Sequence, residues 1–206
     1  MPATVWWRFG ARFNVCAEQY VPAIRMHENQ SEAIMLRWGL IPSWVEGRPQ
    51  GPPRTVVSAA RLDSTKSCRG AWISGKRCIV PMAGFYAWQL TTEKYRQPFF
   101  VHLKARAVFG AAGIWDRWLS EDDDVIESLT LITVPANELV SEVAGPAHGM
   151  PSILRRRDYA TWLHGYPAAA RAALQTYPAK WMRVHPVSPL VNSAEVDDPA
   201  LIRAVG

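Results

Sequence analysis

A handful of groups in this chain could take part in chemistry, and each points to a different reaction. Once Met1 is trimmed, as is usual before a small residue, Pro2 presents a secondary amine. An α-amino group is acidic for an amine, so part of it is unprotonated near neutral pH and able to condense with an aldehyde. His148 sits in Gly145-Pro146-Ala147-His148-Gly149-Met150-Pro151, a Gly- and Pro-shaped loop where an imidazole can act as acid or base. The plainer reading of such a residue is a solvated loop histidine. Arg61 lies in Val57-Ser58-Ala59-Ala60-Arg61-Leu62-Asp63; its fork suits a phosphate, or an ion pair with Asp63 on the same side of a strand. Cys16, Cys68 and Cys78 have no CxxC pair or Cys/His zinc spacing. Neither a disulfide framework nor a metal is expected, and each cysteine reads as a small buried hydrophobe. No nucleophile elbow or Gly-rich phosphate loop is present, and no cofactor is expected.

Ten tryptophans stand in 206 residues. Two of them, Trp44 and Trp88, close the cassettes Arg37-Trp38-Gly39-Leu40-Ile41-Pro42-Ser43-Trp44 and Gly84-Phe85-Tyr86-Ala87-Trp88. Both cassettes follow apolar runs, so each is expected to end a strand and carry its rings into a loop, as a surface for a strand of nucleic acid would. For most of the others, including Trp72, Trp115 and Trp118, a place in the core is expected, and Trp38 is weighted the same way.

These residues need a scaffold. Short apolar runs between Pro and Gly predict strands over 21–25, 33–39, 77–80, 98–103, 108–114 and 129–134, with another over 183–187. The polar stretch Thr92-Glu93-Lys94-Tyr95-Arg96 reads as a hairpin connection, and 46–53 as a long loop. Helices are expected in the second half: 138–144 behind an Asn137 cap, 159–164 behind Asp158, and 167–174 with Pro167 in its first turn. The length fits a single domain over 1–206, of α+β class, with a mostly antiparallel, barrel-like sheet and peripheral helices. A hydrophobic share of 49% with 20% charged residues is that of a globular chain with a sizeable core. No run approaches the roughly 20 apolar residues that cross a bilayer, and the first residues lack the pattern of a signal peptide. The expected location is the cytoplasm, with no membrane partner. A net charge of +5 is compatible with a polyanionic partner.

Taken in order, the cassettes resemble the SRAP family, the SOS-response-associated peptidase proteins that recognise abasic sites in single-stranded DNA. Arg12-Phe13-Asn14-Val15 looks like the family's opening Arg-Tyr-Asn strand, and 35–44 matches its Arg-Trp-Gly-Leu-Ile-Pro-x-Trp run almost letter for letter. Cys78-Ile79-Val80-Pro81 leading to Gly84-Phe85-Tyr86-Ala87-Trp88 is similar again, as are Gln97-Pro98-Phe99-Phe100-Val101, Met150-Pro151-Ser152-Ile153-Leu154 and His185-Pro186-Val187-Ser188. The resemblance implies a β-rich SRAP-like fold with a basic groove for single-stranded DNA, contacted by Asn14, Trp44, Arg61 and Trp88. In active members it also implies an N-terminal Cys that closes a thiazolidine on the abasic aldehyde, assisted by an Asn, a Glu and a His.

The chemical positions differ. The family's Met-Cys-Gly-Arg start is Met1-Pro2-Ala3-Thr4 here; its Asn falls on Ala59, its Glu on Ala87 and its His on Ala147, with His148 one residue off. Without a thiol beside the terminal amine a thiazolidine cannot close, and the alanines carry no acid–base group. Cys16 is a mid-chain thiol that can form at most a reversible thiohemiacetal. The expectation is a SRAP-like protein that binds single-stranded DNA without covalent cross-linking. Two alternatives are an abasic-site lyase working through the Pro2 amine, with His148 as its second candidate catalytic residue, and a protein-interaction module on the same scaffold.

Overall fold

The computed structural model describes residues 10–28, 30–47, 49–90, 96–120 and 124–206. β1 (Tyr20–His27) and β2 (Gln30–Trp38) form an antiparallel hairpin, and β1 continues onto β4 (Arg77–Met82), which pairs with β7 (Phe109–Leu119). β8 (Val125–Pro135) lies antiparallel to β7 and parallel to β2, so β7-β4-β1-β2-β8 closes on itself as a five-stranded barrel. β3 (Val56–Ser58), β9 (Gly149–Pro151) and β10 (Ile153–Leu154) extend this sheet at its margins. A second, three-stranded antiparallel sheet is formed by β11 (Met182–Pro186), β6 (Arg96–Leu103) and β5 (Gly84–Leu90).

Alternation along the barrel strands sorts two cores. Val21, Ala23, Leu36, Cys78, Val80, Ala111, Leu129 and Leu131 form one cluster, drawn from all five strands, and can meet only inside the barrel. The space is tight: a Cβ on Gly113 would lie 2.9 Å from the Cys78 sulfur and 3.2 Å from the Thr130 carbonyl. Against the same interior face Arg25 is buried 4.1 Å from the centre of the Trp115 ring and paired with Glu32 and Glu127. Burial works against its charge, but the hydrogen bonds and fields of the two carboxylates hold its pKa above the usual value.

The opposite face of the barrel strands contributes Ile24, Ile79, Ala112, Ile114 and Ile132 to the main core, shared with the second sheet and the helices. Those helices are α1 (Lys66–Ile73), α2 (Glu138–Ala144), α3 (Tyr159–His164) and α4 (Pro167–Ala172). Asn137 caps α2 by accepting the Val140 N–H at 3.0 Å, and Pro167 opens α4. The buried Arg77 closes the far end of α3, donating to the Trp162 and Gly165 carbonyls with Trp72 and Trp162 beside its guanidinium. Burial pulls its pKa down. On the second sheet, Ala87, Val101, Leu103 and Met182 face the main core. Tyr86, Phe100, His102 and His185 form a ring ladder on the other face, with Tyr86–Phe100 centroids 5.5 Å apart and Phe100–His185 centroids 5.8 Å apart.

The α+β class and the mostly antiparallel barrel follow the sequence reading, as do all seven expected strands, displaced by a few residues. Three points are corrected. The cassette 84–88 does not leave a strand; it is the body of β5, paired throughout with β6. α1 was not anticipated. Residues 59–61 form a 3-10 turn rather than a strand, and Asp63 pairs with Arg171 instead of Arg61. Of the hairpin connection, residues 91–95 lie outside the described residues.

Crowding inside the barrel is testable. Gly113→Ala is expected to destabilise the chain by about 1–3 kcal/mol in urea unfolding. Pairing it with Cys78→Ala should cost less than the sum of the single changes. Strict additivity would show that Gly113 and Cys78 do not share space.

Candidate nucleic-acid interface

A cleft of about 2110 Å³ runs along β5, with residues 83–88 in its wall. The segment 10–17 forms another part of the wall, and Phe109, Gly110 and Tyr159 line it beyond the β4–β5 junction. Most of the lining is apolar or aromatic. Its charges have one sign: among the described lining residues stand Arg12, Arg96 and Arg156, with His148 and His164, and no Asp, Glu or Lys.

The segment before β1 is held in place by the C-terminal tail. Asp197 accepts the N–H groups of Phe13 at 2.6 Å and Asn14 at 3.0 Å and pairs with Arg12. Partial burial disfavours the ionised carboxyl, but the bonds from Phe13, Arg12 and Asn14 outweigh it and hold Asp197 below the usual carboxylate range. The amide of Asn14 donates to the carbonyls of Val191 (3.2 Å), Ser193 (2.8 Å) and Val196 (3.0 Å). Tyr86 donates to the Phe13 carbonyl at 2.7 Å, and Trp88 Nε1 to Asn192 Oδ1 at 2.8 Å. Burial, with the nearby Asp197 charge, pushes the Tyr86 phenol up to about 12.

The residues singled out from sequence fall on different surfaces. Asn14, Ala87, Trp88 and His148 line the cleft. Asn14 is nonetheless buried with its donors committed to the tail, so its observed role is to anchor rather than to touch a ligand. Ala87 lies at the cleft floor, packed into the main core. His148 is exposed and lines the cleft, whereas Ala147 is exposed without being part of the lining, and Ala59 packs against the main core. Trp44 and Arg61 are not among the cleft's lining residues. Trp44 is half exposed, on a loop held by Ser128 at Ile41 N (2.8 Å) and Asp116 at Ser43 N (2.8 Å). Lys66 lies 4.5 Å over its ring. Arg61 is exposed and forms no ion pair among the described residues. Pro2 lies outside the described residues.

Cys68 and Cys78 are buried thiols as expected, with Cys78 fully enclosed and its acidity suppressed by desolvation. Cys16 departs from that expectation: it is half-buried, at the cleft wall. Sequence reasoning missed Arg96, Arg156 and Tyr159, although the run Arg155-Arg156-Arg157 is a legible basic signal. Among the described residues no group of three or more His, Cys, Asp or Glu could hold a metal, and no helix is long and apolar enough to cross a membrane.

A family model described as SOS response associated peptidase (SRAP) matches residues 5–194. The abasic site processing protein YoqW of Bacillus subtilis (strain 168) is 31% identical over 195 residues, covering 93% of this chain and 85% of that protein. The abasic site processing protein HMCES of Gallus gallus is 31% identical over 202 residues, and the match spans 85% of this chain but 59% of HMCES. Among solved structures, a protein from Bacteroides thetaiotaomicron superposes with a TM-score of 0.78 at 25% identity, over 91% of this chain and 82% of that one.

The carboxylate clamp carries a pH signature. Because Asp197 is more acidic folded than unfolded, its contribution is complete above the unfolded value of about 3.9 and is lost as pH falls through the lower folded value. The difference in Tm between the parent and Asp197→Asn should therefore be largest above about pH 4 and shrink below it. A difference independent of pH would show that the charge of Asp197 does not hold the tail.

Proposed function

The chain belongs to the SOS response associated peptidase (SRAP) family, and we propose that it binds abasic sites in single-stranded DNA in this cleft without the covalent attachment of active relatives. The observation that carries the reading is the sign of the cleft's charge. In a chain with 18 Asp and Glu residues, the described lining has none and has three arginines; Arg12 is paired with Asp197, and Arg96 and Arg156 form no ion pair among the described residues. A cationic rim over an aromatic and apolar floor suits a strand whose bases are unpaired and whose backbone is anionic. The names of the relatives, abasic site processing proteins, direct the reading to that lesion.

The absence of covalent chemistry follows from side chains. A methyl group stands at Ala87, Ala59 and Ala147, where the family's carboxyl, amide and imidazole are expected, and none can move a proton. His148 offers an imidazole to the cleft, and Pro2 stands where the resemblance places the family's N-terminal Cys. We place the protein in the cytoplasm as a single SRAP-like unit over 1–206, acting without a cofactor.

A second reading is favoured by the segment 10–17, which lines the cleft and follows Pro2 by eight residues in the chain. In that reading the Pro2 amine attacks the abasic aldehyde and loses water to form an iminium. Removal of the C2′ proton then expels the 3′ phosphate, the step in which His148 would accept the proton. Borohydride, which reduces the iminium to a stable amine, should trap such an adduct; an N-acetylated chain is the blank, and no trapped product ends this reading.

Fluorescence anisotropy with a labelled single-stranded oligonucleotide tests the main proposal. The parent is expected to bind at low salt, and Trp88→Ala to weaken binding roughly ten-fold, the scale of about 1–3 kcal/mol for one stacked base. No binding by the parent at low salt would remove DNA from the account and leave the scaffold as an interaction module.

A further inference from the structure

Three consecutive arginines lead into α3, Arg155 as the N-cap and Arg156 and Arg157 as the first residues of the 3-10 turn Arg156–Asp158, and they do not face the same way. Arg156 lines the main cleft, whereas Arg155 and Arg157 line a separate notch of about 110 Å³. Beside Arg156 in the cleft stands Tyr159, whose hydroxyl oxygen accepts the Gly110 N–H at 3.0 Å. That bond uses the oxygen as an acceptor and leaves the phenolic proton without a partner among the described residues, available to a ligand. The approach depends on a bare glycine, because a Cβ on Gly110 would come within 2.6 Å of the hydroxyl.

Arg106, in the loop after β6, is not a lining residue of the cleft, but its charge acts on the same phenol. Burial pushes the Tyr159 pKa up, while the Gly110 bond and the charges of Arg156 and Arg106 work against it. Neither arginine forms an ion pair with a described residue. Two unneutralised guanidinium groups and a phenolic donor are the equipment that holds a phosphate group.

The position of this cluster along the cleft is fixed by strand pairing. Met82 pairs with Phe109, which sets the Ala83 end of β5 beside Phe109, Gly110 and so Tyr159. Leu90 pairs with Arg96, which sets the Trp88 end beside a second lining arginine, Arg96 itself. The steps from residue 83 to 88 cover about 17 Å at strand spacing. A stacked single strand rising about 3.4 Å per nucleotide crosses that distance in about five nucleotides, an extended one in fewer.

We propose that Arg156 and Tyr159, backed by Arg106, form a phosphate subsite at the end of the cleft opposite Trp88, gripping the backbone of the strand whose base stacks there. The subsite rests on the reading of the cleft as a single-stranded DNA site, and two probes separate the two ideas. The first is a labelled oligo-dT titrated at several salt concentrations against the full chain and its variants. Arg156→Gln alters an exposed side chain and is expected to weaken low-salt binding several-fold. It should also reduce the slope of log affinity against log salt by about 0.7, the loss of one phosphate contact on a single strand. Tyr159→Phe should weaken binding with little change in slope, with a thermal melt confirming that it folds. Arg155→Gln, on the notch side, should leave the slope unaltered. An Arg156→Gln slope equal to that of the parent overturns the subsite while leaving DNA binding in place.

The second probe is inorganic pyrophosphate, followed by calorimetry at low salt. Binding by the parent and not by Arg156→Gln, with no DNA bound by either, would keep the subsite and reject the DNA reading. No binding of either probe by the parent rejects both. A 5′-phosphorylated oligonucleotide compared with its unphosphorylated twin identifies the group held. A gain in affinity that Arg156→Gln abolishes assigns a terminal phosphate, and equal affinities assign an internal diester.

Discussion

Closing a barrel with five strands leaves an interior narrower than that of an eight-stranded barrel, which is already just filled by side chains. Here the interior is built around Ala23, Cys78, Ala111 and the bare backbone of Gly113, with larger residues such as Leu36, Leu129 and Leu131 between them. The fit is possible because β2 joins β8 in parallel, bringing the last strand back to meet the first hairpin. Everything about the cleft follows from that closure. It fixes where β4 leaves the barrel at Met82, hence where β5 begins, and β5 is the wall along which the cleft runs.

A second constraint acts across the chain's length. Asn14 and Asp197 are far apart in sequence, yet together with Arg12 they tie the segment before β1 to the C-terminal tail. The tail in turn receives Trp88 through Asn192 and His185 through the Ile202 carbonyl at 2.9 Å. The cleft wall is thus a composite of both ends of the chain with β5 between them. At its floor Ala87 is buried to 7% exposure, a site where a carboxyl group would have to be protonated or paired to be tolerated. An alanine there removes that desolvation cost together with the proton-transfer group.

What was legible in the sequence was local. The strands have alternating or continuous apolar runs that burial enforces, and α2 announces itself through Asn137, whose cap lies within one turn. α1 was hidden because Lys66-Ser67-Cys68-Arg69-Gly70-Ala71-Trp72-Ile73 contains a glycine and Thr65 makes no side-chain cap bond. The cassette ending at Trp88 read as a loop because aromatic residues occupy both of its faces. One face is in fact covered by the main core, and the other is partly covered by rings and the tail and lines the cleft. Long-range partners could not be read: Asp63 sits two residues from Arg61 but pairs with Arg171. Nor could sequence separate Trp44 and Arg61 from the cleft, since the family's motifs order residues along the chain and not across a surface.

The central claim is that the fold and its cationic cleft persist while permanent attachment to the lesion has been lost. Incubating the full chain with single-stranded DNA bearing one abasic site, without reductant, and dividing the sample between native and denaturing gels examines this directly. The account predicts a shifted complex on the native gel that dissociates completely on denaturation. A DNA–protein species that survives heat and detergent would contradict it.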